Sequence, residues 1–383
     1  MILGLSLLCL AIWLWLWLGH AGFWRIDRAE VPPPPLNWPE VIAVIPARNE
    51  EEGIAETLRS LWSQDYPNPI RIVLVDDHCE DGTVTLAREA ARNARQEGAL
   101  CIVEADCLPA GWTGKVWAMD QGVRRGIEPG DAARYILFSD ADISHGPSAV
   151  WELVCRAEAG ACDLTSFMVR LQCRAPAERL MIPAFVFFFK MLYPFRRINN
   201  ASNPLAGAAG GTMLVRREAL ARIGGLASIR SELIDDCALA REIKRGGHPI
   251  WLGLSDTSIS TRHYRRLPEI LHMVARTAYT QLGCSPFRLA GCIAGLALVY
   301  LAPPILLLAC GWPALFAGLA WLLMTLLYLP MVRFYRQSPL WSALLPVTAL
   351  LYLAATILSA WRWHRGRGGQ WKGRSQAGSA GLP

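Results

Sequence analysis

Ile70-Arg71-Ile72-Val73-Leu74-Val75-Asp76-Asp77-His78-Cys79-Glu80-Asp81-Gly82-Thr83 sets two carboxylates directly behind a short, almost wholly apolar run. A run of this length bounded by turn residues predicts a buried strand, with both acids emerging at its carboxyl end. In a parallel α/β sheet that end faces the ligand crevice. A calcium loop is the rival reading, since Asp77, Asp81 and Gly82 stand at positions 1, 5 and 6 of an EF-hand. It fails because Cys79 holds position 3 and Arg88 holds position 12, where a bidentate glutamate is required. A solvated acidic turn opening a helix at Thr83 is the plainer alternative.

Outward from this stretch, Val41-Ile45, Leu100-Val103 and Tyr135-Phe138 read as further buried strands. Between the first two strands, Ile54, Leu58, Leu61 and Trp62 share one face of a helix expected over Glu51–Gln64, with Asn49 as its cap. Strands alternating with such helices predict βαβ units and a mostly parallel sheet. Asp140-Ala141-Asp142 repeats the strand-end placement after Tyr135-Phe138. Read as extended chain, it puts the two carboxylates on one side, about 7 Å apart. Hard ions such as Mg²⁺ or Mn²⁺ take carboxylate together with phosphate oxygens, so a metal-held diphosphate fits this pattern.

The flanks have a different character. Of the 383 residues 53% are hydrophobic, too many for a purely soluble chain of this size. Residues 1–20 read as a transmembrane anchor, without the basic n-region or cleavage site of a signal peptide. Residues 21–39, with four consecutive prolines, read as a stiff linker, 40–283 as the catalytic domain, and 284–363 as two to three transmembrane helices. Residues 364–383 form a basic, flexible tail in this reading; with Arg362, the tail carries much of the net charge of +6 beside an apolar stretch, which suggests a lipid surface and no nucleic-acid partner. Met181 to Phe195 is too short and charged to span and is expected to lie at the interface or line an acceptor cleft. The eleven cysteines are scattered and odd in number, which points to a reduced, cytoplasmic catalytic domain.

Taken in order, Pro46-Ala47-Arg48-Asn49-Glu50, Asp76-Asp77 with Asp81-Gly82-Thr83, Asp140-Ala141-Asp142 and Asp235-Asp236 resemble the inverting family 2 glycosyltransferases, over roughly residues 40–265. Gly111-Trp112-Thr113-Gly114-Lys115-Val116-Trp117-Ala118 and the downstream spans look like the bacterial hopene-associated members of that family. The resemblance implies an α/β, GT-A-type Rossmann-like fold in a multi-pass protein of the bacterial inner membrane. It implies a single sugar moved from a nucleotide-sugar, UDP-linked by expectation, to a lipid acceptor related to hopanoids. A polyprenyl-phosphate glycosyltransferase, with Arg196-Arg197 or Arg265-Arg266 meeting the phosphate, and a catalytically silent nucleotide-binding scaffold are the alternatives.

Residue by residue, the resemblance implies that Pro46, Arg48 and Glu50 line the nucleotide pocket and that Asp76 or Asp77 meets the base. Lys115 would approach the diphosphate, Asp142 would hold the metal, and Asp140 would contact the ribose or share the ion. His263 would supply a further metal nitrogen. Asp236, or its neighbour Asp235, would act as general base, taking the acceptor proton as the hydroxyl attacks opposite the departing diphosphate. Cys79 stands where the family commonly has serine. Arg276 to Gln281 lacks the tryptophan of the processive members' Gln-x-x-Arg-Trp element, which argues against polymer synthesis.

Overall fold

The computed structural model describes residues 1–27 and 30–369. Most of the expected basic tail, residues 370–383, lies outside them; up to His364 the chain is helical. Two compact units are present, one built from residues 1–27, 172–197 and 263–369, the other from 30–171 and 198–262.

The second unit is an eight-stranded sheet. Its strands are β1 (Val41–Ala47), β2 (Arg71–Asp76), β3 (Leu100–Glu104), β4 (Tyr135–Ser139), β5 (Ile143–Ser144), β6 (Leu164–Arg170), β7 (Thr212–Arg216) and β8 (Ile250–Ser260), in the order β3-β2-β1-β4-β7-β6-β8-β5. The first four are parallel; β1, β2 and β4 carry the near-continuous apolar runs of strands covered on both faces, while β3 at the sheet edge is partly exposed. Beyond β4 the sheet becomes mixed, because β7 runs antiparallel to both β4 and β6. Strand order reverses about β1: β2 and β3 lie on one side, β4 on the other. The crevice at such a reversal, at the carboxyl ends of β1 and β4, is where an open α/β sheet binds its ligand.

Helix Gly114–Gly126 is drawn close against this sheet by small residues. A Cβ on Gly122 would stand 2.6 Å from Val44 Cγ1 and 2.7 Å from Val75 Cγ2, and one on Gly126 would stand 2.3 Å from Val73 Cγ1. Gly122→Val is therefore expected to destabilise the protein by about 1–3 kcal/mol through overpacking. A thermal midpoint in detergent equal to that of the native chain would contradict this account.

The first unit is helical. Helices Pro286–Leu306, Trp312–Phe334 and Pro339–His364 are each long and apolar enough to cross a membrane. Helix Ile2–Leu18, at 17 residues, is shorter; it packs in the same unit, with the Trp13 indole donating to the Val299 carbonyl at 2.9 Å and meeting Tyr300 edge-on at 5.4 Å. Helix Pro176–Leu192 also belongs to this unit and continues through Pro183. It is tied in by the Tyr352 hydroxyl on the Met181 carbonyl at 2.9 Å and by Phe187 against Tyr328 at 5.1 Å.

Candidate active site

Two loops leave the ends of β1 and β2 side by side and are stitched by their own polar groups. The Glu80 N–H donates to Asn49 Oδ1 at 2.8 Å, the Glu50 N–H to Thr83 Oγ1 at 2.8 Å, and the Gly82 N–H to Glu51 Oε2 at 2.9 Å. Asn49 is not a helix cap: the helix starts later, at Ile54, and Asn49 takes φ 52°, a left-handed conformation that asparagine tolerates better than most residues. His78 has φ 55° at the matching place after β2. Asp77 is fully buried, and its carbonyl accepts from Arg48 Nη1 at 2.6 Å while its carboxylate lies 3.7 Å from the same nitrogen. This pair braces the loops. Asp76, partly exposed, is the acid of the two placed at the crevice, with Oδ1 accepting the Cys79 N–H at 2.8 Å. Burial, followed by the Asp76 contact, pushes the Cys79 thiol up to about 12, so this cysteine serves as a neutral packing group.

The second acidic cluster is a turn and not an extended tripeptide. Ala141 and Asp142 bend the chain between β4 and β5, which corrects the spacing expected from extended backbone. The Ala141 carbonyl accepts from Thr57 Oγ1 at 2.8 Å and the Asp142 carbonyl from the Thr261 N–H at 2.7 Å. The two side chains consequently meet different cations. Asp140 Oδ1 lies 2.8 Å from Lys115 Nζ, whereas Asp142 Oδ2 lies 2.8 Å from Arg262 Nε.

Lys115 is the hub of one group. It enters on the first turn of helix Gly114–Gly126 and reaches Asp140 and, at 3.3 Å, Asp235. Burial works against its charge, but Asp140, Asp235 and Asp236 outweigh that and hold it raised above the ordinary lysine value. Asp235 and Asp236 open helix Asp235–Arg245, where the N-terminal dipole favours negative charge. Asp236 Oδ2 accepts the Gly210 N–H at 2.8 Å, and its Oδ1 accepts the Cys237 N–H at 2.7 Å. Burial first, then the neighbouring Asp235, pushes the Asp236 carboxyl up to about 6, with Lys115 pulling the other way. The antiparallel register Ser139↔Thr212 carries Gly210-Gly211 to the end of β4. A Cβ on Gly210 would sit 3.1 Å from Lys115 Nζ and 3.4 Å from Asp236 Oδ2, so the bare backbone is what allows the loop to reach both.

Arg262, which sequence reasoning passed over in favour of its neighbour His263, is the hub of the other group. Besides Asp142, its Nη2 lies 2.7 Å from both carboxylate oxygens of Glu50. The β5–β8 pairing Ile143↔Ser260 places it there. His263 belongs to the helical unit, where its Nδ1 lies 3.8 Å from Glu178 Oε1. In that unit too, Arg196 is paired with Asp27 at 2.9 Å. Among the described residues no group of three or more His, Cys, Asp or Glu side chains gathers as a metal cage. Two carboxylates with hard oxygen donors nevertheless fit Mg²⁺ or Mn²⁺, which are bound through one or two carboxylates plus substrate phosphates.

A parallel half-sheet with its switch point at β1/β4, acids at both strand ends and a further acid pair across a glycine loop defines the GT-A fold of glycosyltransferases. Residues 42–224 match the Glycosyl transferase family 2 model. A 109-residue segment is 32% identical to 4,4'-diaponeurosporenoate glycosyltransferase of Staphylococcus aureus; it makes up 28% of this chain and 25% of that enzyme, so the chain spans about a quarter of the length of the curated relatives it matches. The mannosyltransferase PcManGT from Pyrobaculum calidifontis, solved in complex with GDP-Man and Mn²⁺, aligns over 94% of this chain and 99% of its own with a TM-score of 0.60. At 19% identity that likeness is one of fold.

Proposed function

We propose that this chain is a membrane-bound inverting glycosyltransferase that moves a single sugar from a nucleotide-sugar, UDP-linked, to the hydroxyl of a lipid, with a hopanoid-related lipid as the acceptor that the sequence resemblance suggests. The observation that carries the reading is Lys115 joining Asp140, at the donor side of the crevice, to Asp235, beside Asp236. In this reading Asp76, Pro46, Arg48 and Glu50 form the nucleotide side. Asp142 and Asp140 are the residues that would hold the divalent metal, as the sequence resemblance implies. A bound Mg²⁺ or Mn²⁺ neutralises charge on the diphosphate leaving group. Asp236 takes the proton from the acceptor hydroxyl, its oxygens kept in place by the Gly210 and Cys237 N–H groups. Three apolar helices and the similarity to a 4,4'-diaponeurosporenoate glycosyltransferase support a lipid acceptor held near the bilayer; the cytoplasmic side for the catalytic domain is proposed from its scattered cysteines.

The test is an assay of the purified full chain across nucleotide-sugars with bacterial membrane lipid extract, reading products by mass. A glycolipid bearing one sugar supports the proposal, and nucleotide-sugar turnover without a lipid product would overturn its acceptor side. A base must be deprotonated to act, and the Asp236 carboxyl is raised to about 6. Transfer is therefore expected to be full above that pH and to fall about tenfold per unit below it. A kcat/KM profile flat between about pH 5 and 7 would remove Asp236 from the base role.

A further inference from the structure

Asp142, the acid best placed to bind a metal, is already occupied by a cation of the chain itself. Arg262 Nε meets Asp142 Oδ2 at 2.8 Å and Nη2 spans both oxygens of Glu50 at 2.7 Å, while Ser260 Oγ lies 3.5 Å from the same Asp142 oxygen. The acid side chains are 15% and 16% exposed, so neither charge is left to water alone. A Mg²⁺ or Mn²⁺ ion needs carboxylate lone pairs at about 2.0–2.1 Å. It would bring a double positive charge against a guanidinium that cannot lose its proton. An ion that takes Oδ2 competes with the guanidinium for that oxygen and is repelled by its charge. Arg262 itself is 35% exposed, which gives it room to swing outward without disturbing the core.

We propose that Arg262 is a built-in countercation of the metal position: it holds Asp142 and Glu50 together in the metal-free protein and is displaced when the divalent ion binds. The inference rests on the reading of Asp142 as a metal ligand. Its consequence is coupling. The ion alone must displace the guanidinium from two carboxylates, whereas an ion arriving with a nucleoside diphosphate also brings phosphate oxygens that can receive it. Metal and nucleotide thus bind cooperatively, and the metal-free site is kept from trapping stray cations.

The experiment is a Mn²⁺ titration of the full chain in detergent, following the loss of the free-ion electron paramagnetic resonance signal, with and without uridine diphosphate. Arg262→Gln is expected to bind Mn²⁺ roughly tenfold more tightly than the native chain when no nucleotide is present, a size usual for coupled sites. The enhancement of Mn²⁺ affinity by the nucleotide should shrink by the same factor. Arg262→Lys, which keeps a cation without the fork that spans both acids, should fall between; it also serves if the glutamine variant melts prematurely. Adding Asp142→Asn to Arg262→Gln should abolish the gain. Equal or weaker Mn²⁺ binding by both Arg262 variants, with the native chain binding normally, overturns the countercation and leaves the metal reading standing. Absence of Mn²⁺ binding in every form, with and without nucleotide, overturns both.

Discussion

Asp236→Asn is expected to lower kcat by about 10²–10⁴, the range in which a positioned general base contributes, while nucleotide affinity stays close to that of the native chain. The substitution keeps the side chain's size but removes its basicity. It also changes the local bonding, because both carboxylate oxygens accept backbone N–H groups, from Gly210 and Cys237, and an amide can satisfy only one of them. A stability cost of about 1–3 kcal/mol accompanies the change. Thermal melting must therefore be measured beside single-turnover transfer and nucleotide binding. Asp235→Asn is the companion: Asp235 is ion-paired to Lys115, and its loss should affect nucleotide-side organisation more than proton transfer. Full transfer by Asp236→Asn would eliminate it as the base; a larger loss in Asp235→Asn would move the role one residue back.

Lys115→Met is expected to destabilise the protein. It removes the only cation paired among the described residues with both Asp140 and Asp235, and since the Asp140 side chain is 37% exposed the cost is about 1–3 kcal/mol, below that of a fully buried pair. The pH dependence should move in a defined direction. Lys115 is what pulls the Asp236 carboxyl down against burial and Asp235, so without it that carboxyl rises further. The acid limb of the rate profile then shifts upward, and activity is lost at a pH where the native chain is still fully active. An unchanged melting midpoint together with an unshifted acid limb would show that the three carboxylates do not depend on this lysine.

Much of the fold was legible because its signals are local. An apolar run ending in acids, such as Ile70 to Asp77, declares a buried strand and the end at which chemistry gathers, since burial on both faces excludes polar residues until the strand emerges. The apolar blocks after Gly283 were legible for a similar reason of length and composition. What misled was local reasoning applied to turns. Asn49 has the chemistry of a cap, but the loop across from it offered the Glu80 N–H and claimed its side chain. Asp140-Ala141-Asp142 has no glycine or proline to mark a bend; the bend comes from tertiary anchoring of its carbonyls by Thr57 and Thr261.

Residue types and their order alone determined that a mostly parallel α/β sheet would present Asp76, Asp140 and Asp142 at strand ends and that apolar helices would follow it. Only the tertiary structure decided which cation each acid meets. Arg262 lies 120 residues from Asp142 and 212 from Glu50 along the chain, and no periodicity relates charges so far apart. Strand pairing brings them within hydrogen-bond reach, because a buried carboxylate stays charged only where the fold supplies a partner. The same constraint separates Asp76 from Asp77, adjacent in sequence but alternating across the strand end: one faces the crevice and the other is buried against Arg48.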